Sequence, residues 1–178
     1  MRFNFARGSG SEYGSALSVP SYRAAQPLLL SELRRARRYE YPLSVAILSA
    51  QPASRLVQSS NGTSRNGTRP EISPATYGLL GGFLRNTLRE SDILAGLPES
   101  LAYASFLPGV GREGAEMAVD RFREGFLDCG QHFLRAGVAT FPDDGLTIED
   151  LVQCAIEAWR SELPSGAALS LTTRVSNG

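Results

Sequence analysis

The run LSVAIL, Leu43–Leu48, constrains this chain more than any other feature. Five of its six residues are apolar, and it is bounded by Tyr41-Pro42 and by the polar residues from Ser49 onward. A short, nearly continuous apolar run of this kind is a strand buried on both faces. A strand covered on both faces cannot sit at the surface, so the rest of the chain must supply the cover.

The remaining periodicity supplies it. Leu29, Leu33 and Ala36 form the inner face of a helix from Pro27 to about Tyr39, with Pro27 suited to its first turn. A second helix is expected from about Pro74 to Leu88, with Tyr77, Leu80, Leu84 and Leu88 inward. Gly81-Gly82 in its middle costs about 1 kcal/mol per residue, which predicts close packing there. Two apolar runs, Asp92–Leu97 and Leu101–Leu107, flank Pro98-Glu99-Ser100 and predict a β-hairpin. A third helix, about Arg112–Cys129, would bury Ala115, Ala118, Phe122, Phe126 and Cys129. His132–Phe141 reads as a strand. Thr147-Ile148-Glu149-Asp150 resembles a capping box with Asp in the Glu position. The helix it opens would bury Ile148, Leu151, Val152, Ala155 and Trp159, and Ala168–Val175 reads as a last strand. The order α-β-α-β-β-α-β-α-β defines an α+β domain, a central antiparallel sheet with its hairpin in the middle and helices packed on it. Residues 1–25 are Gly/Ser-rich and read as a flexible tail before a domain over 26–176. Residues 51–73 read as a mobile polar loop.

Composition closes several routes. The chain has 178 residues, and its 18 basic and 18 acidic side chains cancel, which argues against bulk nucleic-acid or anionic-membrane binding. Every basic residue is Arg, so Lys Schiff-base and P-loop chemistry is excluded. His132 is the one histidine, and Cys129 and Cys154 have no zinc spacing. The N-terminus lacks the apolar core of a secretory signal, and no run has the length of a membrane span, so a cytoplasmic location without membrane insertion is expected. Arg34, Arg35, Arg37 and Arg38 read as a solvated helix face, Asn61-Gly62-Thr63 and Asn66-Gly67-Thr68 as turns, and Pro142-Asp143-Asp144-Gly145 as a turn before a helix.

Four phrases, in order, resemble the GGDEF family, the bacterial diguanylate cyclases: RRARRYEYPLSVAIL, LRNTLRESD, YASFLPG and AGVATFPDDGLTIEDLVQCAIEAW. The resemblance covers roughly residues 27–166 and implies a nucleotidyl-cyclase-like, ferredoxin-like sheet. The family uses acidic residues to hold two divalent cations beside a GTP triphosphate. The resemblance places the first metal Asp at Ser49 and a neighbouring Asp at Gln51. The Gly-Asp that helps hold guanine falls at Ser73-Pro74. The signature turn becomes PESLAY, one residue longer, with Tyr103 at the family's Phe. A phosphate-holding Lys falls at Glu162, whose charge would repel a triphosphate, and the Arg beyond it is missing near Gly166-Ala167. With Glu99 the one carboxylate at the turn, this implies a degenerate domain that is not an enzyme and uses no metal or cofactor.

The family's product-binding site uses an Arg-x-x-Asp just before the hairpin, and Arg89 and Asp92 match it. A second Arg on the next helix completes that site in some members and falls on Arg121, counted without gaps from Pro108. The resemblance therefore implies a cyclic di-GMP-binding effector or regulatory module that acts through Arg89, Asp92 and Arg121. The structural alternative is that Arg89 and Asp92 are an ordinary helix-end cation and strand-start residue. The alternative function is a nucleotide-independent interaction or self-assembly module, with the tail or the loop engaging an unidentified protein partner or a second copy. A residual enzyme acting on another nucleotide is disfavoured, because the metal ligands are absent.

Overall fold

The computed structural model describes residues 19–52, 73–127 and 132–162. Cys129, the Asn61 and Asn66 turns, the expected strand Ala168–Val175, the Gly166-Ala167 position, and most of the tail and of the loop lie outside the described residues.

The LSVAIL run is the interior of β1, Leu43–Pro52. It is paired antiparallel on both sides, to β3 (Ala102–Pro108) and to β4 (His132–Phe141). With β2 (Ile93–Leu97) outside β3, the sheet has the order β2-β3-β1-β4. Among the described residues four helices join and cover these strands: α1 (Tyr22–Tyr39), α2 (Pro74–Thr87), α3 (Arg112–Leu127) and α4 (Ile148–Ser161). A short 3₁₀ turn, Pro98–Ser100, closes the hairpin.

Alternation along β1 divides the core in two. Leu43, Val45 and Ile47 face α1 and α4, where Leu29, Leu33, Ile148 and Leu151 are buried. Ala46, Leu48 and Ala50 face α2 and α3, with Leu80, Leu84, Phe122 and Phe126. Both sheet faces are therefore covered, and fully burying one Leu or Phe side chain contributes about 1.5–3 kcal/mol. The predicted inner faces of all four helices hold among the described residues. Trp159 and Tyr77 are half-buried at the margins of the two clusters.

Several boundaries shift for physical reasons. α1 begins five residues before Pro27. Ser21 caps it by accepting from the Ala24 N–H at 3.3 Å, Ala25 is buried, and Tyr22 stacks on Phe106. That packing outweighs the backbone donor that Pro27 lacks inside the helix. The segment before α1 is also tied to the hairpin, since the Gly96 N–H donates to Pro20 O at 2.8 Å. β1 runs on to Pro52 because β4 pairs with it as far as His132. The capping box of α4 is present in both directions: Asp150 N–H to Thr147 Oγ1 at 3.0 Å, and Thr147 N–H to Asp150 Oδ2 at 3.2 Å.

Candidate functional site

The two ends of β2 lie apart. Ile93 pairs with Phe106 at one end of β2, and Leu97 with Ala102 at the other. Five strand residues at about 3.3 Å each put roughly 17 Å between the Arg89–Asp92 turn and the Pro98–Ser100 turn.

At the first end, the chain leaves α2 at Leu88 and turns sharply into β2. The turn is closed twice. Asp92 N–H donates to Arg89 O at 3.0 Å, and Arg89 N–H donates to Asp92 Oδ2 at 2.9 Å. One oxygen of a half-buried carboxylate thus fixes the turn, and the Arg89 side chain stands exposed beside it. α3 brings Arg121 in from the side, its guanidinium 5.8 Å from the Phe122 ring centroid. Arg89, Asp92 and Arg121 line one cavity of about 370 Å³, together with Leu107, Val110 and Met117. The structure thus brings together all three residues singled out in the sequence. Two guanidinium groups and one carboxylate can grip the edge of a guanine, since Arg donates bidentately to O6 and N7 or to a phosphate and a carboxylate accepts from ring N–H groups. Sequence reasoning missed Val110 and Met117 as wall residues. The spacing from Met117 to Arg121 is one helical turn, and that signal could have found Met117.

At the second end, Glu99 is exposed on the 3₁₀ turn, and Leu101 takes a left-handed conformation, φ 47°. Tyr103, at the position of the family's Phe, is buried. Its ring stacks on Tyr77 with centroids 4.4 Å apart, and its hydroxyl donates to Tyr77 O at 3.2 Å. Burial, then the neighbouring Tyr77, pushes the Tyr103 phenol far above its ordinary range. Ser49 is fully buried, and its Oγ accepts from Trp159 Nε1 at 2.9 Å. Ser73 is the N-cap of α2 and accepts from the Thr76 N–H. Among the described residues no group of three or more His, Cys, Asp or Glu could hold a metal ion.

Glu162 has partners within the fold. Its carboxylate is paired with Arg123, which also pairs with Asp120, and it accepts the Ala136 N–H at 2.6 Å. Its charge is therefore used within the fold, where it holds the end of α4 to the outer edge of β4.

An antiparallel sheet in the order β2-β3-β1-β4, with helices on both faces, defines an α+β domain. No protein-family model and no curated protein matches the chain, but solved structures do. The GGDEF domain of YfiN (or TpbB) from Pseudomonas aeruginosa is 19% identical with a TM-score of 0.62, over 80% of this chain and 89% of that one. The active GGEEF domain of a diguanylate cyclase from Vibrio cholerae is 15% identical with a TM-score of 0.61, over 80% and 90%. The coiled coil and GGDEF domain of DgcB from Caulobacter crescentus, solved in complex with c-di-GMP, is 12% identical with a TM-score of 0.57, over 78% and 73%. At these identities the likeness is one of fold, and the chain has the GGDEF-domain fold.

This corrects one expectation. The sequence reading makes the chain a non-enzyme, but its fold is that of diguanylate cyclase domains, one of them described as active, so an enzyme fold is present. The backbone frame of those neighbours is present in this chain. No helix among the described residues is long and apolar enough to cross a membrane.

Proposed function

We propose that this domain binds cyclic di-GMP at the cavity between the Arg89–Asp92 turn and α3, and serves as an effector or regulatory module in signalling by that nucleotide. The observation that carries the reading is the convergence of the Arg89–Asp92 turn and Arg121, which comes from a separate helix, on one cavity of about 370 Å³. A neighbour of the same fold, solved with c-di-GMP, supports the ligand class. The hairpin then acts as a rigid platform. One end of β2 fixes an Arg and an Asp, and the adjoining helix presents a second Arg. Charge-assisted hydrogen bonds to guanine edges and phosphates are the strong kind, and micromolar affinity, about −8 kcal/mol, is expected.

Calorimetry of the full chain with cyclic di-GMP, GTP and GMP tests the reading. Arg89→Ala should weaken cyclic di-GMP binding at least about tenfold, or about 1.4 kcal/mol, with a smaller loss for Arg121→Ala and unchanged melting for both. Absence of heat at high micromolar protein and ligand, with equilibrium dialysis in agreement, would leave Arg89 and Asp92 as structural residues. A nucleotide-independent interaction module would then take the place of the effector.

A further inference from the structure

The cavity beside Arg121 has an apolar wall that the guanidinium and carboxylate chemistry does not use. Met117 stands one helical turn before Arg121 on α3, so the two side chains share a face. It is 67% exposed, the most exposed of the large apolar residues described, although it lines the cavity. Val110 lines the same space, and Gly109 borders it with no side chain of its own; a Cβ there would meet nothing within 4 Å. The cavity lining thus combines charged groups with an exposed, polarizable thioether.

A purine presents the complementary surface. Its edge carries hydrogen-bonding groups, and its two faces are apolar and aromatic. Edge contacts from Arg89, Asp92 and Arg121 leave a ring face in need of cover. An unbranched side chain with a polarizable sulfur covers an aromatic ring favourably and adapts its rotamer to do so. We propose that Met117 is the stacking residue of this site and lies over the face of a guanine base whose edge the Arg and Asp groups hold. The inference rests on the cyclic di-GMP reading above and adds the residue that would select a purine ring.

The chain contains two methionines, Met1 and Met117. The full chain labelled with ¹³C at the methionine methyls therefore gives two resonances, and Met117→Leu assigns them by deleting one. On titration with cyclic di-GMP, the Met117 methyl should move upfield under the ring current of the base, and the Met1 methyl should stay in place. Calorimetry should show Met117→Ala binding roughly two- to tenfold more weakly, the range that sulfur–aromatic contacts contribute. Met117→Leu should retain most of the affinity. Cyclic di-UMP, with smaller rings, should bind more weakly and move the methyl less. If the parent binds cyclic di-GMP and Arg89→Ala weakens it, but the Met117 methyl stays still and Met117→Ala binds as the parent does, the stacking role alone is overturned. Equal binding of cyclic di-UMP would overturn the purine selection. If the parent gives no heat with cyclic di-GMP, the site reading fails, and this inference fails with it.

Discussion

Gly81 and Gly82 are adjacent on α2 and chemically identical, yet the structure predicts opposite consequences for replacing them with alanine. A Cβ on Gly81 would overlap the Tyr103 hydroxyl oxygen and lie 2.7 Å from its Cζ, whereas a Cβ on Gly82 would meet nothing within 4 Å. Tyr103 cannot simply swing away, because it is 4% exposed and stacked on Tyr77. In a helix interior Ala is favoured over Gly by about 1 kcal/mol at either position. That term cancels when the two variants are compared. The remaining difference is the overpacking cost at Gly81, about 1–3 kcal/mol. Gly82→Ala should therefore raise stability by up to about 1 kcal/mol, and Gly81→Ala should fall below Gly82→Ala by about 2 kcal/mol. In a domain of this size that separates the melting temperatures by roughly 4–8 °C. Thermal and urea unfolding of the two variants and the parent provide the assay. Equal stability of the two variants would refute the reasoning, because it would mean that α2 does not press its backbone on the Tyr103 ring.

Gly137→Ala should be more damaging still. Its Cβ would overlap the Ala155 carbonyl oxygen and the Trp159 backbone nitrogen, so α4 itself must shift, and urea titration should show a loss of about 3 kcal/mol. Ser49→Ala would leave the half-buried Trp159 indole N–H without its acceptor and should cost about 1–3 kcal/mol by the same measurement, while Trp159→Phe in the Ser49→Ala background should recover part of it. Stability should also fall as pH rises above 10. Tyr103 is raised by burial and then by Tyr77, Tyr22 by burial and then by Glu149, and Tyr41 by burial and then by Glu32. Below pH 10 these phenols are protonated in both states. Above it the unfolded chain ionises first and binds fewer protons than the fold, so the native state loses stability until its own phenols titrate. Denaturant midpoints at pH 9 and pH 11 check the sign, and Tyr103→Phe should flatten the decline.

The sheet and its cover were legible because LSVAIL, the hairpin runs and the helical stripes all report burial, and burial is local in sequence. His132–Phe141 needed no correction for the same reason: its residues enter both core clusters, Leu134 and Ala136 in one and Ala139 and Phe141 in the other. The start of α1 was not legible, since Pro27 argues for a later start, and only the stacking of Tyr22 on Phe106 reveals why the helix begins sooner. The expected close packing of the Gly pair was half right. No sequence rule distinguishes two neighbouring glycines until the phase of α2 against Tyr103 is fixed. Glu162 could not be read either, because its partners, Arg123 and the Ala136 N–H, come from different elements.

The two turns at the ends of β2 have separate supports. The turn at Pro98–Ser100 depends on Leu101 in a left-handed conformation and on the Tyr103–Tyr77 stack. The Arg89–Asp92 turn depends on its own two hydrogen bonds, which involve no residue of that distant turn. Its second cation comes from α3, which is anchored through Phe122 and Phe126 in the core cluster under that face of the sheet. The supports of the two ends therefore share no residue; between them β2 pairs with β3, and β3 with β1. A substitution at the Pro98–Ser100 turn removes side-chain groups there and leaves the frame intact. Motif residues alone therefore misjudged the chain, whereas the cavity at the opposite end combines Arg89, Asp92 and Arg121, which the family resemblance had singled out, with Val110 and Met117, which it had not.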